Sequence, residues 1–178
     1  MKEITLHNKI FEVSISDNEI AQIVDSMAKK INATKIKDPI FIAVMNGAFL
    51  FAADIMRNIT IQNAEISFIK LSSYSGTTTT GKVSELIGFS KNIKNRNVII
   101  LEDIIDSGIT LEKIMSLLEK ENVATIKIAT LLFKPDAYSK DIKIDFIGKS
   151  IPNNFVVGYG LDYDEIGRNL PHIYKLKK

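Results

Sequence analysis

The chain has no cysteine among its 178 residues. Disulfide scaffolds and zinc–thiolate sites are therefore excluded, and the composition suits a reducing compartment. Arginine is nearly as scarce: of 23 cationic side chains only Arg57, Arg96 and Arg168 are arginines. Such a chain is poorly equipped to read base edges, where bidentate arginine is the commonest specific contact. A formal net charge of +2 adds no basic field of the kind that nucleic-acid binders carry. No run approaches the roughly 20 apolar residues that span a bilayer. Met1-Lys2-Glu3-Ile4-Thr5-Leu6-His7 also lacks the apolar stretch of a signal peptide. The expectation is a cytoplasmic protein with neither a nucleic-acid nor a membrane partner.

What is present is an ordinary globular mixture, 46% hydrophobic and 25% charged. A chain of this length buries roughly 70% of its unfolded surface, so one domain over residues 1–178 can hold a real core. Phe11, Val13 and Ile15 alternate with polar residues, as in a half-buried strand. Ser16-Asp17-Asn18-Glu19 reads as a capping box, and Ile20, Ile23, Val24, Met27 and Ile31 follow at helical spacing, predicting a helix over about 17–32. Further strands are expected at 39–45, 64–71, 98–101, 125–133 and 142–147, with helices at 48–56 and 109–121. Residues 72–82 are polar, with a Thr77–Thr80 run and no periodicity, and a loop this long is usually functional. Apolar strands alternating with helices predict an α/β protein with a mostly parallel twisted sheet flanked by helices. Ligands then bind beyond the carboxyl ends of the strands, at Asn46-Gly47, Leu71-Ser72, Glu102-Asp103 and Lys134-Pro135.

The segment Val98-Ile99-Ile100-Leu101-Glu102-Asp103-Ile104-Ile105-Asp106-Ser107-Gly108-Ile109-Thr110 carries the chemistry. Two adjacent carboxylates end a buried strand, and a third follows three residues later. Ser107, Gly108 and Thr110 then open a helix whose free N–H groups can cradle a phosphate. The carboxylate pair repels an anion but accepts hydrogen bonds from sugar hydroxyls or holds Mg²⁺. Cradle and pair together suit a phosphorylated sugar.

This segment resembles the signature of the type I phosphoribosyltransferases, which bind 5-phosphoribosyl-1-pyrophosphate. Nearly the whole chain is similar to the hypoxanthine-guanine members: Val44-Met45-Asn46-Gly47-Ala48-Phe49 to their pyrophosphate loop, Lys70-Leu71-Ser72-Ser73-Tyr74 to the start of their flexible loop, and Leu131-Leu132-Phe133-Lys134 to the strand ending in a purine-contacting lysine. Ile151-Pro152, Phe155-Val156-Val157-Gly158-Tyr159-Gly160-Leu161-Asp162-Tyr163 and Arg168-Asn169-Leu170-Pro171-His172 resemble their C-terminal hood. The hood points to a 6-oxopurine rather than orotate, uracil or adenine.

The resemblance implies a core at about 35–140 and a small hood built from the N-terminal segment and about 141–178. It implies Glu102 and Asp103 on the ribose hydroxyls with Mg²⁺ nearby, and Asp106 as general base at purine N7. Ser107, Gly108, Ile109 and Thr110 would hold the 5′-phosphate. Asn46 and Gly47, freed by a cis Met45–Asn46 bond, would contact pyrophosphate together with Arg168. Lys134 would donate to purine O6, Phe155 would stack on the base, and Val156 and Asp162 would offer it backbone carbonyls. Asp162 would also take a second Mg²⁺. Ser73 and Tyr74 would belong to a lid over 72–82, and the family implies a homodimer or homotetramer. Two positions depart from many members: Asn46 and Ile109 stand where a cation is common.

Alone, each outlying feature has a plainer reading. Phe155-Val156-Val157 is more simply a core strand, Lys134 a solvated strand end and Arg168 a surface cation. His7 and His172 are read as structural, with no metal-ligand partner at suitable spacing. Two other functions fit less of the chain: a regulatory sensor of phosphoribosyl pyrophosphate, which would need a further nucleic-acid surface, and a Mg²⁺-dependent phosphatase using Glu102, Asp103 and Asp106, which gives the hood no role.

Overall fold

The structure is a computed structural model, and it describes residues 3–72, 84–87 and 92–177. Chain order begins with a hairpin, β1 (Glu3–Leu6) and β2 (Lys9–Ile15), followed by α1 (Asp17–Ala33), β3 (Ile40–Met45) and α2 (Phe49–Asn58). Then come β4 (Glu65–Ser72), β5 (Ser84–Ile87), β6 (Asn97–Ile105), α3 (Ile109–Lys120) and β7 (Thr125–Phe133). The chain closes with β8 (Phe146–Ser150), β9 (Val156–Val157) and β10 (Ile173–Leu176).

Six strands form the main sheet in the order β5-β4-β3-β6-β7-β8. All neighbours are parallel except β5, which runs antiparallel to β4. Both faces of the central strands are buried, which explains their unbroken apolar sequence. On β3 the alternation is visible residue by residue. Phe41 and Ala43 face one core with Val24, Met27 and Ile31 of α1 and Phe51 and Ile55 of α2. Ile40, Ile42 and Val44 face the other, with Leu111, Ile114 and Leu118 of α3. The α1 stripe recurs every three or four residues, as an amphipathic helix packed on a sheet requires. Its start is capped as the sequence predicts: the Ser16 hydroxyl accepts a hydrogen bond from the Glu19 N–H at 3.2 Å.

A second, antiparallel sheet has the order β1-β2-β10-β9. It joins the two ends of the chain around a small cluster of Phe11, Val157 and Tyr174. No helix among the described residues is long and apolar enough to cross a membrane.

The topology places the site. From β3 the chain passes through α2 to β4 on one side, and from β6 through α3 to β7 on the other. The switch point therefore lies between β3 and β6, where open α/β sheets bind ligands. Two strand boundaries differ from the sequence reading. β6 runs to Ile105 rather than Leu101, because β7 pairs with it as far as Phe133 opposite Ile105. Its pairing with β3 ends at Leu101 opposite Ala43. The final strand of the main sheet starts at Phe146 rather than Ile142. Ile142 and Ile144 pack on the α3-side core without ladder pairing.

Candidate active site

Beyond Leu101 the β6 strand has lost its β3 neighbour, and a cavity of about 360 Å³ opens there. Gly47, Glu102, Asp103, Asp106, Ser107, Gly108, Ile109 and Thr110 all line it. The Met45–Asn46 bond is cis, and Gly47 follows at once. A Cβ on Gly47 would lie 1.8 Å from Oδ2 of Asp103, so only glycine lets the β3 loop approach the β6 carboxylate so closely.

Glu102 is buried, with 4% of its surface exposed. Burial, with the Asp103 charge and a hydrogen bond to Asp103 added, holds its carboxyl well above the ordinary carboxylate range. Asp103 is half-buried and is pushed up to about 6, first by desolvation and further by the charge of Asp162. Backbone N–H groups and Arg168 oppose that rise. Two adjacent carboxylates held partly against their charged forms have the electrostatic character of a cation or polyol site.

Ser107, Gly108, Ile109 and Thr110 line the cavity where α3 begins, and the helix starts at Ile109 as the sequence predicts. Gly108, not a hydroxyl residue, occupies the N-cap of α3, with φ at +83° and no side-chain cap. The cap residue thus offers the first N–H groups of the helix no side-chain acceptor, and the helix dipole adds to their pull on an anion.

Asp106 is bound to Lys134: the ammonium lies 2.7 Å from Oδ2. Lys134 is 7% exposed, so the plain reading of a solvated strand end is corrected. It is buried because β7 carries it to the mouth of the sheet beside Ile105, whose carbonyl accepts its N–H. The plain reading of Arg168 as a surface cation fails too. Its guanidinium donates to the Gly160 carbonyl at 2.9 Å and pairs with Asp162 at 2.7 Å and Glu165 at 3.3 Å.

The loop carrying these residues closes over the pyrophosphate-loop candidate. A Cβ on Gly160, whose φ is +100°, would lie 2.0 Å from the Gly47 carbonyl oxygen. Asp162 and Arg168 are near enough to shift the titration of Asp103. Phe155 stands apart from the main cavity. It is 44% exposed and packs edge-on to Tyr163, with Lys9 Nζ 5.9 Å from its ring centre. Val156 is buried in β9, where it pairs with Lys175 of β10. Ser73 and Tyr74 lie outside the described residues, as does most of the 72–82 loop. His172 accepts a hydrogen bond from the Asp17 N–H at Nδ1, a structural role at the start of α1.

Several contacts were not signalled by sequence. Tyr159 donates its hydroxyl to Asp54 Oδ2 at 2.6 Å, tying the Gly160 loop to α2. Ser139 bonds the Ser107 carbonyl through both its N–H and its hydroxyl, and Tyr138 and Lys140 lie against Gly108. The residues concerned are far apart in sequence and have no periodic signature, so only the Gly158-Tyr159-Gly160 punctuation hinted at any of them.

Comparison with known proteins agrees with this fold. Residues 14–164 match the model of the phosphoribosyl transferase domain. The hypoxanthine-guanine phosphoribosyltransferase of Staphylococcus epidermidis is 39% identical over 174 residues, covering 97% of each chain. The hypoxanthine phosphoribosyltransferase of Buchnera aphidicola is 42% identical over 170 residues, covering 93% of this chain and 95% of the relative. The crystal structure of a hypoxanthine-guanine phosphoribosyltransferase from Bacillus anthracis superposes with a TM-score of 0.86 at 39% identity, covering 93% of this chain and 98% of that one. Matched over most of its length in sequence and in fold, the chain belongs to the phosphoribosyl transferase family.

Proposed function

We propose that the protein transfers the 5-phosphoribosyl group of phosphoribosyl pyrophosphate to hypoxanthine, and to guanine, giving IMP or GMP and pyrophosphate in purine salvage. The observation that carries this reading is the Lys134–Asp106 pair beside the phosphate cradle. A 6-oxopurine presents an acceptor at O6 next to a donor at N7–H. A lysine donor held against a carboxylate acceptor is the complement of that edge. Adenine offers a donor at position 6 and is refused by Lys134. The names of the relatives at 37–42% identity support the same substrate class.

In the reaction the C1–oxygen bond to pyrophosphate breaks and the bond from purine N9 to C1 forms. Asp106 takes the proton from N7 as N9 bonds. Ser107 to Thr110 hold the 5′-phosphate with backbone N–H groups and hydroxyls, Glu102 and Asp103 hold the ribose hydroxyls, and Gly47, Asn46 and Arg168 hold pyrophosphate. Phe155 supplies an apolar face to the base, and the Val156 and Asp162 carbonyls its edge. Fixing two substrates in one orientation supplies most of the acceleration, because no covalent enzyme intermediate is required.

The donor set fits Mg²⁺ of a particular kind. No cluster of three or more His, Asp or Glu side chains suited to a metal occurs among the described residues. Mg²⁺ typically takes only one or two carboxylates and completes its shell with water and substrate phosphates. Glu102 and Asp103 would hold one ion and Asp162 a second, and the chemistry such ions would supply is positive charge for pyrophosphate. We place the enzyme in the cytoplasm as a homodimer or homotetramer.

A product assay with hypoxanthine, guanine, xanthine and adenine tests the reading. Nucleotide and pyrophosphate should appear in equal amounts with hypoxanthine or guanine and not with adenine. Release of inorganic phosphate without nucleotide would favour the phosphatase, and binding of phosphoribosyl pyrophosphate without turnover the sensor.

A further inference from the structure

We infer that Lys140 is a 5′-phosphate-binding residue of this enzyme, a cation delivered to the cradle from the segment after β7. This rests on the phosphoribosyl transfer proposed above, since it concerns the anion that the start of α3 would hold.

The four cradle residues, Ser107, Gly108, Ile109 and Thr110, contain no cation. Backbone N–H groups and a helix dipole attract an anion, but a phosphate monoester carries nearly two charges at neutral pH. The first turn of α3 also carries Glu112, whose carboxylate opposes a dianion at the same helix end. The cradle as built from its own residues is therefore short of positive charge.

Lys140 is the cation placed to supply it. A Cβ on Gly108 would lie 2.8 Å from Lys140 Cγ, so the lysine stem rests directly on the glycine at the N-cap. Its ammonium lies 2.8 Å from Glu112 Oε2, within the first turn. Only the last carbons of the side chain separate these two points, so rotation about the terminal bonds carries the ammonium across the helix start without backbone movement. Only about a quarter of the side chain is exposed, so packing holds its stem, and the ammonium is paired with Glu112.

The backbone on which Lys140 rides is anchored to the cradle. The Ser139 N–H and hydroxyl both bond the Ser107 carbonyl, at 3.4 and 3.3 Å. The Tyr138 ring meets the same side of Gly108 beside the Lys140 stem and donates its hydroxyl to the Ile142 carbonyl at 2.7 Å. Lys134, at the start of the same segment, binds Asp106. One short stretch thus contacts the base-side carboxylate through Lys134 and the phosphate side through Lys140. In the free protein Glu112 holds the ammonium. A phosphate dianion at the N–H groups competes for it with twice the charge.

The test uses the full-length protein and compares binding of IMP and inosine, which differ only in the phosphate. Lys140→Met should weaken IMP binding about tenfold, the scale of one charge-assisted hydrogen bond. Inosine binding and the KM for hypoxanthine should stay within twofold. The dependence of IMP affinity on salt should become shallower, and Lys140→Arg should retain most of the affinity. In Lys140→Met combined with Glu112→Gln the IMP affinity should stay weak. Full recovery in that double variant would show that Lys140 only neutralises Glu112, and would overturn the inference. So would an IMP affinity within twofold of the parent in Lys140→Met. If the parent protein forms no IMP from hypoxanthine and phosphoribosyl pyrophosphate, the functional reading fails instead.

Discussion

Gly47 and Asp103 touch across the gap where β3 and β6 part: a side chain on the glycine would begin 1.8 Å from the aspartate carboxylate. The loop after β3 and the Asp103 carboxylate are thereby a single unit. Gly47→Ala should displace the Asp103 side chain rather than the sheet, because the obstructing atoms belong to a side chain. The KM for phosphoribosyl pyrophosphate should rise about tenfold or more, as expected when a charge-assisted contact is lost, with the hypoxanthine KM little changed. Adding Asp103→Ala to Gly47→Ala should weaken binding by less than the sum of the single effects. Strictly additive effects would mean that the two residues act separately.

Lys134→Met should lower kcat/KM for hypoxanthine by about 10- to 100-fold, the worth of a hydrogen bond from a charged donor. Asp106 would lose its cation, but its side chain is 48% exposed, so water solvates the freed carboxylate and the melting temperature should change little. Equal losses on every base tested, with a large drop in melting temperature, would assign Lys134 to the fold and not to the purine.

The Asp103 carboxyl is pushed up to about 6 from an ordinary 3.8, chiefly by desolvation. Below about pH 4 the group is protonated in both folded and unfolded chains and carries no penalty. As pH rises through 6 it ionises in the folded protein against burial, so its contribution to stability is lost across that window. Asp103→Asn should therefore raise the melting temperature at pH 7.5, and the gain should shrink as pH falls from 6 to 4. The same variant should bind phosphoribosyl pyrophosphate weakly. In the parent protein that binding should weaken as pH drops below 6. A melting temperature unchanged at pH 7.5 would remove the penalty assigned to this group.

The Tyr159–Asp54 bond offers a check on the loop that reaches Gly47. Tyr159→Phe keeps the buried ring and removes one hydrogen bond to a part-exposed carboxylate. A loss of about 1 kcal/mol is expected, visible in denaturant unfolding. Asp54→Asn, which keeps an acceptor, should lose less.

Much of this was legible along the chain because the central strands are short apolar runs and the helices carry clean stripes. β3, β4, β7 and the helices α1, α2 and α3 lie within two residues of where the sequence predicts them. The unsignalled elements depend on distant partners. β10 is four residues long and exists because β2 and β9 flank it. β1 pairs with β2 across His7-Asn8, a turn without the Asn-Gly signal of a tight hairpin. Ile142 and Ile144 alternate like a strand, yet the ladder begins only after Asp145, whose N–H bonds the Ile128 carbonyl. At the site, the motif from Glu102 to Thr110 was legible because one short stretch carries these residues to the cavity. The closures by Gly160, Tyr159, Ser139 and Lys140 were not, since each joins residues brought together only by the sheet.

The most direct test of the account is the turnover of Asp106→Asn. A general base acts on the transition state, so kcat for hypoxanthine should fall by about 10²–10⁴-fold. Asparagine preserves shape and can still accept from Lys134. The dissociation constant for phosphoribosyl pyrophosphate should therefore remain within a few-fold of the parent. Turnover near the parent level, with pyrophosphate and IMP formed in equal amounts, would contradict the assignment of Asp106 as the group that receives the N7 proton.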